Sequence, residues 1–311
     1  MNRRQTLAAL AATTGGAVLP PSVLSAPITA PVAKDPPPFA YALNVSTIRG
    51  QNLGFVKELE VASKAGFRHV EIWMNSFQDY LKTHKTADVR KLLGDLGLQV
   101  ENAIGFAQWI VDDEATRTKG VEQLKQEMEL LAEIGCKRTA APPMGATNQP
   151  GLDLRKAAER YRAILELGEK TGVVPQLELW GGSKNMNKLS EVMFVAIESG
   201  HPSARVLLDI YHLYKGGSSP ASLPLVGKPG IEVFHLNDYP TNPPRETIVD
   251  ADRVYPGDGI GPVRETLKQI KTPGKTIVLS LELFNKDYYA QDALVVAKTG
   301  LEKMKKVAEG V

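Results

Sequence analysis

From Phe39 onward, short apolar runs alternate with longer runs of helical period, almost without interruption. The apolar runs FAYALNVS, RHVEIW, QVENAIGF, CKRTAAPP, VVPQLELW, ARVLLDIYH, IEVFHLND and TIVLSLELF predict eight strands, of which CKRTAAPP has the weakest pattern. Between them LGFVKELEVASKAG, TADVRKLLGDLG, EATRTKGVEQLKQEMELLAEIG, DLRKAAERYRAILELGEKTG, KLSEVMFVAIESG, GPVRETLKQI and QDALVVAKTGLEKMKKVAEG predict helices. Only the segment around Ser222–Val226 has a poorly formed helical pattern. Glycines such as Gly66 and Gly97 stand where helices need a left-handed stop. Eight βα units over about 270 residues predict an α/β protein, a single-domain (β/α)₈ TIM barrel. A doubly wound open sheet is the alternative, but the first strand runs into NVSTIRG, with no Gly-rich phosphate turn.

Several strand runs are apolar along their length and polar at the C-terminal end, where a parallel barrel opens. In order, those ends carry Asn44 and Ser46, Glu71 and Trp73, Asn102 and Phe106, then Glu178 and Trp180, Asp209 and His212, His235 and Asp238, and finally Glu282. One acid at a strand end has an ordinary reading, as a helix cap or a lysine partner. Two glutamates, an aspartate and a histidine on four successive strands point instead to a common centre. Three carboxylates with one imidazole suit Mn²⁺, Co²⁺, Mg²⁺ or Zn²⁺ rather than a thiolate-preferring metal.

Composition narrows the classes. The chain has 311 residues, 43% apolar and 23% charged, with a net charge of +2. It has no Lys/Arg-rich run, which argues against a nucleic-acid partner. The single cysteine, Cys136, excludes an internal disulfide and reads as a buried structural thiol at a helix end.

Before the first strand, residues 1–33 have a charged start at Arg3-Arg4, an apolar centre and small residues, the pattern of an export signal of twin-arginine type. The apolar run is too short and diluted for a stable membrane span. Residues 34–38 complete a Pro-rich linker, with cleavage expected between Ser25 and Lys34, and residues 39–311 form the barrel. Export predicts a bacterial periplasmic protein.

The order AGFRHVEIW, LELW, VLLDIYH, FHLND, YPGDG and LSLELF resembles the xylose isomerase-like barrel superfamily, from Phe39 to the last helix. That group includes sugar isomerases, ketose 3-epimerases and inosose dehydratases. The resemblance implies that Glu178, Asp209, His235 and Glu282 hold one divalent ion. It also implies that His212 bonds a substrate oxygen, and that the loop holding Asp258 borders the site. Glu71 is expected in the pocket floor, toward substrate or metal, with pairing to Arg49 or Lys82 as its alternative. Asp238 is expected to orient His235 or a neighbouring loop.

A metal chelating a carbonyl and its neighbouring hydroxyl acidifies the intervening C–H. Glu178 and Glu282 would then transfer the proton through an enediolate. The resulting reading is an isomerase or epimerase of an unphosphorylated carbohydrate, since export separates the protein from cytoplasmic sugar phosphates. A dehydratase or lyase of a keto-sugar, keto-glycoside or inosose is the alternative on the same site. A non-catalytic carbohydrate-binding barrel is the alternative of another class, and a homo-oligomer is compatible with any of these. Trp73, Trp109 and Trp180 are candidates for stacking on a sugar ring. The chain departs from ketose 3-epimerases in two places. Lys184 stands where they carry a further acid, and NDYPTNPP follows His235 where they place an arginine.

Overall fold

The computed structural model describes residues 36–227 and 230–311. The expected export signal and most of the linker lie outside the described residues. Eight parallel strands form a nearly closed barrel: β1 (Phe39–Asn44), β2 (His69–Trp73), β3 (Gln99–Ile104), β4 (Arg138–Ala141), β5 (Val174–Glu178), β6 (Val206–Asp209), β7 (Val233–Leu236) and β8 (Ile277–Leu281). The ladder runs β3-β2-β1-β8-β7-β6-β5-β4, so chain neighbours are sheet neighbours and β1 meets β8. The fold is the single-domain TIM barrel expected from the alternation.

Between β3 and β4 the ladder is interrupted, and side chains span the seam. Thr139 Oγ1 donates to the Ala103 carbonyl at 3.2 Å, and Arg138 Nη1 to the Glu101 carbonyl at 3.2 Å. This explains the weak pattern of CKRTAAPP: β4 has four residues, with a backbone ladder only to β5.

The helices are α1 (Phe55–Ala65), α2 (Met74–Leu81), α3 (Thr86–Leu96), α4 (Glu114–Glu133), α5 (Leu154–Thr171), α6 (Leu189–Glu198), α7 (Ile210–Gly216), α8 (Val263–Ile270), α9 (Lys286–Tyr289) and α10 (Ala293–Ala308). Three of them, α2, α7 and α9, together with a 3₁₀ turn at Val45–Gln51, were not expected from the pattern. They lie directly after or close to strand ends, in loops over the barrel mouth. The weak segment is a 3₁₀ turn, Pro220–Val226, interrupted by Pro224. None of the described helices is long and apolar enough to cross a membrane.

Period-two alternation divides each strand between two environments. Val206 and Leu208 of β6, Phe234 and Leu236 of β7, and Leu279 and Leu281 of β8 join the large core shared with the helices. Ala42, Ile104, Ala140, Leu207, Val233 and Val278 form a second, smaller apolar cluster. One pleat further along come Asn44, Asp209, His235 and Ser280, all buried. The inward rows therefore change from apolar to polar at the C-terminal mouth.

Near the other end, Arg138 joins Glu101 at 3.0 Å and Glu232 at 2.6 Å, while Arg205 joins Glu232 at 2.9 Å. This network ties strand starts together, and its acids are held below the usual carboxylate range. Burial opposes that shift. For Glu101 it is overcome by His69 and Arg138, and for Glu232 by Arg138 and Arg205.

Candidate active site

The site is built where four strands end on polar groups. Asp209 ends β6 and at once caps α7: its Oδ1 accepts the His212 backbone N–H at 2.7 Å. Helix capping and facing the site, alternatives for an isolated acid, are here combined in one carboxylate. His212 consequently lies in the first turn of α7 and not on the strand run to which its sequence assigned it. Asp209 Oδ2 faces inward, accepting from Asn237 Nδ2 at 2.8 Å and Arg253 Nη1 at 3.0 Å.

His235 is fully buried on β7 and is oriented by Glu71 rather than by Asp238. Its Nε2 donates to Glu71 Oε1 at 3.0 Å, a carboxylate partner that puts the proton on Nε2 and turns Nδ1 to the centre. Glu71 also accepts from Asn44 (2.8 Å), Asn102 (2.6 Å) and Ser280 (2.6 Å). Its alternative partners are engaged elsewhere: Lys82 pairs with Asp79 at 2.8 Å, and Arg49 lies over the Trp73 ring at 4.5 Å. Asp238 instead holds a loop. It accepts backbone N–H groups from Gly257, Gly259 and Gly261 at 3.0, 3.1 and 2.8 Å.

His235 Nδ1 lies 3.1 Å from Glu282 Oε2, 3.9 Å from Glu178 Oε1 and 4.0 Å from Asp209 Oδ2. It makes no aligned hydrogen bond, and Glu178 Oε2 is likewise buried without a partner. Ligand atoms of Asp209, His235 and Glu282 all lie within 4.8 Å of one another, a set that could hold a metal ion. Glu178 stands beside His235 but outside that triple.

Charge supports the same reading. Glu71, Glu178, Asp209 and Glu282 share the buried interior with two cationic groups, His235 and Arg253. With His235 neutral, as a metal ligand must be, the acids exceed Arg253 by three charges, of which a divalent ion would offset two. Protons substitute in its absence. Burial pushes Glu178 up to about 8, against the opposing pull of His235. Burial would lower His235, but Glu282 and Glu71 raise it well above its ordinary value. Glu282 is held far below the carboxylate range by His235 and Arg253, despite its own burial.

A metal must displace the protons on Glu178 and His235. Its affinity should therefore rise as pH rises toward about 8, where Glu178 gives up its proton, by up to about tenfold per unit for each proton displaced, with protons released to the buffer. Calorimetric metal titration in two buffers of different ionisation enthalpy measures both effects. A second expectation concerns Glu71→Gln, which takes the carboxylate from His235 Nε2. Metal affinity should fall about 10–100-fold with the barrel intact.

Arg253 is the site residue that sequence reasoning missed. It stands eighteen residues beyond His235, in DADRVYPGDG, yet is 1% exposed and sits among the presumed ligands. Its Nη1 donates to Asp209 Oδ2 at 3.0 Å and Glu282 Oε2 at 2.7 Å, and its Nη2 reaches His212 Nε2 at 3.1 Å and also Asp250. An arginine absent just after the seventh strand thus arrives from later in the same loop. The loop is pinned by Asp238, which also pairs with Val254 in an isolated bridge. The only sequence signal was a lone arginine between acids and an apolar pair. His212 stays neutral, lowered by burial and then by Arg253. Its Nδ1 faces the Gly181 N–H at 3.3 Å, so both ring nitrogens meet donors. A neutral ring can accept at only one of them.

The cavity over this centre has a volume of about 390 Å³. Glu178, His212, Asp250, Arg253 and Glu282 supply its polar wall, and Trp73, Phe106, Trp180 and Phe284 its aromatic wall. Trp73 packs edge-on against Phe106 at 5.3 Å and Phe284 at 6.2 Å, and its Nε1 donates to Asn44 Oδ1 at 2.9 Å. Two expected ring contacts lie elsewhere. Trp109 is a core residue, 1% exposed, donating to the Pro142 carbonyl. Asp258 is exposed and pairs with Lys303 of α10, away from the cavity lining.

Comparison with known proteins agrees with this fold. An inosose isomerase of Bacillus velezensis is 27% identical over 259 residues, covering 81% of this chain and 91% of that protein. A 3-dehydroshikimate dehydratase of Pseudomonas putida is 24% identical, covering 80% of this chain and 39% of its own length. The structure of the IOLI protein with a binding zinc atom superposes with a TM-score of 0.77 at 23% identity, covering 86% of this chain and 98% of that one. The sequence profile described as "Xylose isomerase-like TIM barrel" matches residues 59–307. An acid-rich centre on consecutive strand ends of an eightfold barrel, matched by that profile over most of the chain, makes this protein a member of the xylose isomerase-like TIM barrel family.

Proposed function

We propose that the protein is a divalent-metal-dependent isomerase or epimerase of an unphosphorylated sugar, cyclitol or keto-sugar, working by proton transfer beside a carbonyl. The observation that carries this reading is the convergence of Glu178, Asp209, His235 and Glu282 on one point, with His235 Nδ1 and Glu178 Oε2 lacking hydrogen-bond partners. The zinc described for the IOLI protein and the isomerase among the relatives support it.

Asp209, His235 and Glu282, joined by Glu178, would hold the ion, which supplies a Lewis acid that acidifies the C–H next to a substrate carbonyl. Glu178 is the base. Its unpartnered oxygen takes the proton from carbon, and the electron pair moves onto the carbonyl oxygen. Arg253 and His212 offer positive charge and a polar ring nitrogen where that oxygen becomes negative. For isomerisation Glu178 returns its proton to the neighbouring carbon, while the hydroxyl proton of the first carbon passes to the former carbonyl oxygen. For epimerisation Glu282 relays a proton from solvent to the opposite face of the same carbon, and Glu178 releases its own to solvent. The aromatic wall covers the apolar face of the ring and limits water.

The dehydratase relative favours one second reading, in which the same carbanion equivalent expels a β-hydroxyl. Incubating metal-loaded protein with ketoses, inososes and 3-keto-glycosides in D₂O separates the two. Deuterium at a carbinol carbon of an isomeric product is expected, loss of water or aglycone identifies the lyase, and no exchange across the panel overturns proton-transfer catalysis.

We further propose that Arg3-Arg4 and the run after them direct export to the periplasm. Fractionation of cells expressing the full chain and its Lys-Lys variant checks this, and equal export of both overturns the twin-arginine route.

A further inference from the structure

Past Gly182 and Ser183 the wall of the catalytic cavity becomes the wall of a second cleft of about 670 Å³. The two cavities differ in their charged lining. The first is lined by Glu178, Asp250 and Glu282 against Arg253. The second is lined by Lys184, Lys188, Lys215 and Arg245 against a single acid, Glu246. Glu246 lies 3.5 Å from Arg245, and Lys215 is tied to two backbone carbonyls at 3.0 Å. The ammonium groups of Lys184 and Lys188 contact no acid among the described residues and are exposed to the cleft and solvent.

The glycines at this junction differ in what holds them. A Cβ at Gly181 would lie 2.3 Å from the His212 carbonyl oxygen, and one at Gly216 would lie 1.7 Å from that of Asn187. Both are required by close backbone packing. A Cβ at Gly182 meets nothing within 4 Å, and its backbone is not left-handed. Neither packing nor conformation requires a glycine there. Gly182 and Ser183 line both cavities.

We propose that this cleft is an anion subsite, so that the enzyme selects unphosphorylated carbohydrate ligands bearing a carboxylate on the ring or its aglycone. The inference rests on the carbohydrate reading above and names the substrate class within it. A ligand lying across Gly182 places its polyol end over the catalytic centre and its acidic end at Lys184 and Lys188. The charge asymmetry therefore sets orientation as well as affinity.

The test is calorimetric binding to metal-loaded protein of matched pairs: glucuronate and glucose 6-phosphate against glucose, and 4-carboxyphenyl glucoside against phenyl glucoside. At least one carboxylate should bind about tenfold more tightly than its neutral partner at low salt, an advantage that shrinks at about 0.5 M salt. A gain for glucose 6-phosphate with none for either carboxylate overturns the carboxylate assignment. Lys184→Gln/Lys188→Gln should abolish the advantage without changing affinity for the neutral member, and Gly182→Leu should weaken the acidic member selectively. No acidic advantage in wild type, absence of binding included, or an advantage that survives the double variant, overturns the subsite. Lysine-dependent binding with no deuterium exchange on any substrate keeps the subsite and sinks the proposed reaction. Turnover of neutral sugars without acidic preference does the reverse.

Discussion

Glu178→Gln protein, loaded with metal, is expected to keep its fold and most of its ion while losing about 10²–10⁴-fold in kcat. Glu178 stands beside His235 but outside the tight triple of Asp209, His235 and Glu282, so the ion retains its three other donors. What the substitution removes is the unpartnered oxygen that can take a proton from carbon. The neutral amide also relieves the burial cost that lifts the native carboxyl to about 8. In the metal-free state the raised value means that the native group contributes relative stability below about pH 4.5, lost as pH rises toward 8. Glu178→Gln should flatten that part of the profile. The decisive measurements are metal content, rate of solvent exchange and melting temperature against pH. Full activity in a metal-bearing variant would remove Glu178 from the chemistry.

Arg253→Met should act on three observables in different directions. Turnover should fall about 10²–10³-fold, the scale for losing a donor aimed at developing negative charge. The metal-free protein should lose about 3–5 kcal/mol, because Asp209 and Glu282 stay buried without their guanidinium partner. Metal affinity should rise. Arg253 Nη1 bonds Asp209 Oδ2 and Glu282 Oε2, two oxygens that an ion in the triple would use, so arginine and metal compete for them. Adding metal should then restore more stability to the variant than to wild type. Equal metal affinity in both proteins would show that guanidinium and ion occupy separate positions.

Several outcomes that the sequence left open or misplaced share one physical origin. Asp238 and Glu71 are both acids at strand ends, and nothing local distinguishes their tasks. Glu71 points into the barrel from β2 and meets His235 from β7, although 164 residues separate them. Asp238 lies just past β7 and turns to the backbone amides of its own following loop. Asp258 matched a loop motif, yet the carboxylate turns outward to Lys303 because the loop's backbone, not that side chain, meets Asp238. Trp109 and Trp180 look alike in sequence, but one packs against Tyr161 in the core and the other lines the cavity.

By itself the sequence determined the eightfold alternation, the direction of the strands and the end of the barrel that carries chemistry. Those properties follow from local periodicity: apolar period-two runs ending on acids, separated by amphipathic helices. It also placed Glu178, Asp209, His235 and Glu282 at four neighbouring strand ends. Tertiary structure alone decided which atoms converge, because side-chain direction and loop path depend on contacts distant in the chain. It brought Arg253 from a long loop into the carboxylate cluster, assigned Glu71 to His235, and opened the lysine-lined cleft behind Gly182. Burial then gave these groups their protonation preferences, since desolvation and charge neighbours exist only once the chain is folded.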